Sequence, residues 1–390
     1  MLITSGNYLK ALRRLRQEYS DLPWYKRWWF SLWSYNLSSG LAALDLNNPT
    51  TEQVDELLKA SDNAWFFNTI FDLITQFRQS ISKLSFSGQP DEIKKEIGAR
   101  LDTNNLSNLA LTSPDVFKLF QPMLDVRKFL LAVVHGEYDE VEAMLIKNTN
   151  FLTQKGPVTD YSGRRFFNIS GFKYALWALD KHLWSKMLHF LPLNEKGEKI
   201  KIALLEQYEE LKKNGVTYEL NGKIITEQHF DFENTLIKEL RIQVNDAANW
   251  IKSWAEIDKQ WREGVGSAQK LLPMHVVYEY CSDVPFHPLP AFIEQPRLTK
   301  QFYNWLNDKY EDWFHLGSRL GDDFAICKGG ADNAGFLERA DSGGGITPRD
   351  LVAMETLCDL RTADFIDLES ILIKMVEVCN QQTDLKTCSL

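Results

Sequence analysis

The 390-residue chain has few of the features that mark common function classes. It has five cysteines, Cys281, Cys327, Cys358, Cys379 and Cys388, an odd number with no Cys-x-x-Cys pair. That pattern rules out a zinc ribbon and argues for free thiols in a reducing compartment over a disulfide framework. A basic excess is missing too, since the formal net charge is −9, which argues against a general nucleic-acid binder. No run is long and apolar enough for a bilayer: the uncharged stretch from Trp28 to Leu44 is broken by Ser31, Ser34, Asn36, Ser38, Ser39 and Gly40. The start of the chain lacks the order of a secretory signal. No Gly-x-x-x-x-Gly-Lys-Ser/Thr string is present, and no cofactor or metal is implied.

What is present is helical periodicity. Residues 6–18, 24–44, 50–61 and 63–85 read as helices, and Pro90 and Ser113-Pro114 stand where a proline opens a helix, starting segments 90–100 and 114–121. The Asn-rich stretch between 86 and 112 reads as a linker or surface excursion. A charged amphipathic helix is predicted over 196–214. Asn221-Gly222 between two β-prone runs then predicts one small β-hairpin over 216–226. Ile237, Leu240, Val244, Ala247, Ile251, Trp254 and Trp261 predict a single long helix over 232–261. A helix is expected over about 297–310, and Thr347-Pro348-Arg349-Asp350 is a helix start ahead of a final helix over 363–379. The expected class is therefore all-α with one hairpin. The expected regions are 1–122, 123–195 and 196–390.

The centre carries a more particular pattern. Residues 130–145, with His135-Gly136 between two apolar runs, follow the helix, glycine turn, helix order of an ankyrin repeat. Asp160-Tyr161-Ser162-Gly163 then stands where a repeat's turn would be, followed by Phe172, Ala175, Leu176, Leu183, Met187 and Leu188. Fewer than three repeats are visible, so this pair must lean on flanking helices.

The strings Val158 to Arg164, Ala175 to Asp180, Val265 to Gln269, Pro273 to Cys281, Leu320 to Ala325 and Arg361 to Asp364 resemble ankyrin-type effectors that Legionella species inject through the Dot/Icm type IV secretion system. The resemblance covers about 125–370. It implies a protein of the bacterial cytoplasm that is secreted into a host cell, with the acidic C-terminus as the secretion signal. It implies a host protein as partner and no agreed reaction. On this reading the ankyrin-like surface, with Asp160, Tyr161, Ser162 and Arg164, is the binding face.

Several residue sets invite chemistry. His275 and Glu279 are four apart in a segment opened by Pro273, so an imidazole and a carboxylate would share a helix face, as a general base and its orienting acid do. The pair is loosely similar to the His-x-x-x-Glu of adenylyl-transferring effectors, which would make a nucleotide-handling transferase, with Ser267 as the nearest serine. Cys281 with Asp283 and His287 offers a thiol and a base, against a plain buried cysteine. His182 and His189 share a face without a third metal ligand. The glycines between 317 and 345 read as a loop, and Asp322, Asp323, Asp332 and Asp341 do not match a calcium loop. Trp24, Lys26, Arg27, Trp28 and Trp29 combine rings with cations, as a membrane-surface or partner-binding helix does, and suit a core equally well.

Overall fold

The computed structural model describes residues 86–249, 252–304, 309–315, 317, 319–329, 336–337 and 347–387. The expected helices over 6–18, 24–44, 50–61 and 63–85, and the Trp24 to Trp29 cluster, lie outside the described residues. The chain divides into two compact units between Ile97 and Gly98, so the expected boundaries at 122 and 195 fall inside the second unit. The first unit's described part is a short 3-10 turn, Phe86–Gly88, and the start of helix α1, Asp91–Arg100.

The second unit is mainly helical. Helix α2, Thr103–Ala110, is capped by Asp102, whose carboxylate accepts from the Asn105 backbone at 2.8 Å. The predicted linker is thus largely helical. Helix α3 runs Pro114–Val134, 21 residues and well past the expected end at 121, because Ser113 caps it, Pro114 fits the first turn and a buried face continues from Phe120 to Val134. It ends at His135. Gly136 follows with φ +67°, and α4, Tyr138–Lys147, returns alongside it.

The centre is not purely helical. Strands β1, Lys155–Thr159, and β2, Arg165–Ser170, form a hairpin closed by the Asp160 to Arg164 turn. Helices α5, Gly171–Trp177, and α6, Lys181–His189, are capped by Ser170 and Asp180 and joined through Leu179 at φ 58°. Helix α7, Glu195–Asn214, leads into strands β3, Val216–Leu220, and β4, Lys223–Glu227, around Asn221 and Gly222, both at positive φ. That turn is the two-residue kind that Asn-Gly favours. A single pairing, Arg165 with Glu219, joins the two hairpins into one antiparallel sheet in the order β1-β2-β3-β4. The expectation of an all-α fold with one hairpin is corrected to this extent: mainly helical, with a four-stranded sheet.

Two further expectations need correction. The long helix over 232–261 is broken: a wide turn over Glu233–Ile237 leads into α8, Lys238–Asn249, and α9, Trp254–Lys259, starts afresh on the Ser253 and Glu256 capping box. The box satisfies donors on both sides, and that chemistry overrides the apolar period. Further on, the segment over 297–310 is not a helix. Strands β5, Gln301–Asn304, and β6, Lys309–Asp312, pair antiparallel there, with Phe302 and Asn304 buried on alternate positions. Between these come α10, Gly266–Gln269, and α11, Met274–Cys281, which opens at Pro273. Strands β7, Ile326–Cys327, and β8, Phe336–Leu337, form another short pair. The last helix, α12, runs unbroken over Thr347–Thr387 and is the longest among the described residues.

One hydrophobic cluster extends from Val126 to Leu372. Helix α3 packs on β1, α5 bridges α3 and α7, and α12 lies along α7 and α8. Gly156 lets α3 approach β1: a Cβ there would sit 3.1 Å from a Leu130 methyl.

Candidate functional site

The turn between β1 and β2 is fixed from within. Asp160 accepts from the Arg164 backbone at 2.9 Å and pairs with its guanidinium at 3.4 Å. Both side chains are buried, and the guanidinium lies 5.2–5.6 Å from the ring centres of Trp177, Tyr218 and Phe230. Burial raises the Asp160 carboxyl despite the opposing guanidinium. Ser162 donates to the Lys270 carbonyl at 3.0 Å. Tyr161 alone of the four remains exposed, at 37%. Its ring is sandwiched between His135 at 3.8 Å and Phe314 at 4.3 Å, both nearly parallel to it, and Lys300 donates to its hydroxyl at 3.0 Å. Burial and the nearby Lys300 charge bring the His135 imidazole down to about 4, so at neutral pH a neutral ring stacks there.

His275 and Glu279 sit on α11 as their spacing predicts, but both are buried, at 2% and 7% exposure. Neither ring nitrogen of His275 has a hydrogen-bond partner, and burial, with Arg361 and His182 nearby, holds the imidazole well below its ordinary range. Glu279 is pushed up to about 7 by burial, against the pull of Arg361 and Lys328. Around them lies a group of ionisable residues the spacing argument missed. Lys328 donates from Nζ to the Glu279 carbonyl and to Ser282 Oγ, and from its backbone to the Asp350 carboxylate at 3.0 Å. Burial brings this lysine down to about 8 and raises Asp350 to about 7. Arg361 reaches the Phe292 carbonyl at 2.8 Å, His182 Nε2 at 3.1 Å and Asp364 at 2.9 Å. His182 is therefore committed to a guanidinium, and His189 packs against Phe190. Cys281 is buried and free, with its thiol pushed up by burial, which keeps it from the thiolate form a nucleophile needs. Ser267 donates to the Gly321 carbonyl at 3.3 Å. Of the glycine-rich stretch only 317, 319–329 and 336–337 are described. Among the described residues no group of three or more His, Cys, Asp or Glu side chains is placed to hold a metal ion.

Two of the strings that carry the resemblance, Val265 to Gln269 and Leu320 to Ala325, pack on each other. Gln269 exchanges two hydrogen bonds with the Ile326 backbone, at 2.6 and 2.8 Å. Gly266 lies so close to the 321–324 turn that a Cβ would come within 2.6 Å of the Phe324 carbonyl oxygen. Tyr278 donates to the Gly136 carbonyl at 2.7 Å.

A concave site of about 430 Å³ opens elsewhere, between the middle of α3 and the strands β1 and β2. It lies at a bulge where Pro157 interrupts the register between Gly156 and Val158. Arg127, Gln154 and Phe167 are among its walls, and His275 and Glu279 are not. Arg127 is only 4% exposed; its Nη2 donates to the Gly98 carbonyl at 3.1 Å, while its Nη1 has no partner. Gln154 Oε1 is likewise buried without a partner. In the sequence Arg127 stands beside Lys128 between the apolar Val126 and Phe129, and nothing in that string distinguishes the buried base from the exposed one.

These observations define a mainly helical protein with a small antiparallel sheet, a buried ionisable cluster and a separate groove. No described helix is long and apolar enough to cross a membrane. Residues 235–372 match the family described as the CBUA0006 C-terminal domain. The uncharacterized protein CBUA0006 of Coxiella burnetii (strain RSA 493 / Nine Mile phase I) is 37% identical over 261 residues, which cover 62% of this chain and 73% of the relative. The chain belongs to the CBUA0006 family. No solved structure matches it.

Proposed function

We propose that the chain is a binding module of the effector type, delivered by type IV secretion into a host cell, where it grips a host protein. The ankyrin-type and Legionella resemblance supplies the setting. The observation that supports binding is Tyr161. Asp160, Ser162 and Arg164 spend their polar groups inside the chain, and the exposed ring is clamped flat between His135 and Phe314. An aromatic held in one orientation before contact loses little freedom on binding, which is what an interface anchor requires. Ile146, 68% exposed on α4, and Leu131 on α3 add apolar surface to the preceding helical pair. A transferase using His275 and Glu279 has weaker support, since a substrate would have to reach two buried side chains.

The test is affinity capture from host-cell lysate with the full chain beside Tyr161→Ala, both checked by circular dichroism. The expected result is a discrete host protein retained by the wild type and at least tenfold depleted with the variant, about 1.4 kcal/mol. Equal capture by both proteins, or a host protein covalently modified by the wild type and unchanged by His275→Ala, overturns the proposal.

A further inference from the structure

Arg127 and Gln154, which line the same groove, each hold a buried polar atom without a partner, one a donor on a cation and the other an acceptor. A lone buried donor or acceptor is costly, and a site that holds one of each is complete only when something bonds both. Among the described residues Arg127 has no ion-pair partner: Asp102, the acid whose charge it feels, is occupied by the Asn105 backbone at 2.8 Å and side chain at 2.5 Å. The guanidinium therefore lacks an anion. Gln154 Oε1 lacks a donor. The rest of the wall is mostly apolar, with Met123 and Val126 from α3 and Phe167, 46% exposed, from β2; its other polar members are Asn168 and Lys155, whose ammonium lies 3.5 Å from Glu210. The Pro157 bulge breaks the β1–β2 pairing at this point and leaves room beside the sheet. A volume of about 430 Å³ lies in the range of small-ligand sites.

We infer that this groove binds a carboxylate flanked by an N–H group and an apolar side chain, the chemistry of an apolar amino acid or of the last residue of a peptide. The carboxylate pairs with Arg127 Nη1, the N–H donates to Gln154 Oε1, and the side chain lies against Met123, Val126 and Phe167. A guanidinium already held by the Gly98 carbonyl is preorganised for such an anion. The site is separate from the Tyr161 surface and stands or falls without it.

Calorimetric titration of the full chain with N-acetyl-leucine, leucine, the tripeptide Ala-Ala-Leu and N-acetyl-leucinamide tests the inference. N-acetyl-leucine or the tripeptide is expected to bind saturably, and the neutral amide at least tenfold more weakly, because only the acids carry the charge Arg127 lacks. The tripeptide binding more tightly than leucine identifies a peptide end; the reverse order identifies the free amino acid. Either order supports the site. Phe167→Ala, on an exposed side chain, and Arg127→Lys should each weaken binding at least fivefold, with folding checked by thermal melting. No saturable binding by any acid, equal binding of acid and amide, or unchanged affinity in Phe167→Ala overturns the inference.

Discussion

Replacing Glu279 by glutamine should change how stability depends on pH. The carboxyl titrates near about 7 in the folded chain, against an ordinary value of 4.5, and burial is the main cause. Between those values the unfolded chain has released this proton while the folded chain still holds it. The folded state therefore binds more protons, and stability falls as pH rises through the window. The full step, 4.5 to about 7, corresponds to roughly 3 kcal/mol, and about 2 kcal/mol of it lies between about pH 5 and about pH 7.5. Asp180 and Asp350, raised to about 6 and about 7, act in the same direction, whereas His135 and His182, lowered to about 4, act in the opposite one. These groups are present in both proteins, so the informative quantity is the variant minus the wild type. Urea unfolding followed by tryptophan fluorescence should show Glu279→Gln gaining about 2 kcal/mol relative to wild type across that range. A difference that stays flat with pH would refute the account of a buried, protonated Glu279.

Arg164→Ala should cost about 3–5 kcal/mol, because Asp160 stays buried without its partner and three rings lose the guanidinium packed on them. The double change Asp160→Asn with Arg164→Met should cost less than Arg164→Ala alone, and chemical denaturation of both separates lost charge pairing from lost volume. Gly136→Ala should destabilise by about 2–4 kcal/mol, since φ is +67° and the new methyl would lie 2.6 Å from Tyr278 Oη; a melting temperature like the wild type's would sink that reading.

Local chemistry was legible in the sequence wherever one short string decided the outcome. Ser113-Pro114 opened α3, Asn221-Gly222 turned the β3–β4 hairpin and Thr347-Pro348 opened α12. The structure departs from the local pattern where two local signals compete or where distant residues decide. In the segment over 232–261 an apolar period outweighed, on paper, the capping box at Ser253. The stretch Gln301 to Asn304 alternates in burial, but its residue types do not, because Tyr303 is aromatic and the buried Asn304 is polar, so the strand's period of two is not written in the sequence. The four-stranded sheet depends on one pairing between Arg165 and Glu219, far apart in sequence. The spacing of His275 and Glu279 placed them on one helix but carried no information about depth. Lys328 and Arg361 act on them from segments that no spacing rule connects. Arg127 and Gln154 come together for the same reason, by tertiary packing alone.

The shared core also bears on how this family is inherited. The recognisable stretch 235–372 begins partway through the cluster that runs from Val126 to Leu372. Its last helix is held by Tyr208, which donates to the Phe365 carbonyl at 3.0 Å, and by Lys212, 2.8 Å from Glu369; its Arg361 rests on His182. A gene fragment carrying only that stretch would encode half of an interior. The preceding hairpins and α7 complete that interior, and the alignment with the Coxiella relative, at 261 residues, is longer than the stretch 235–372 itself.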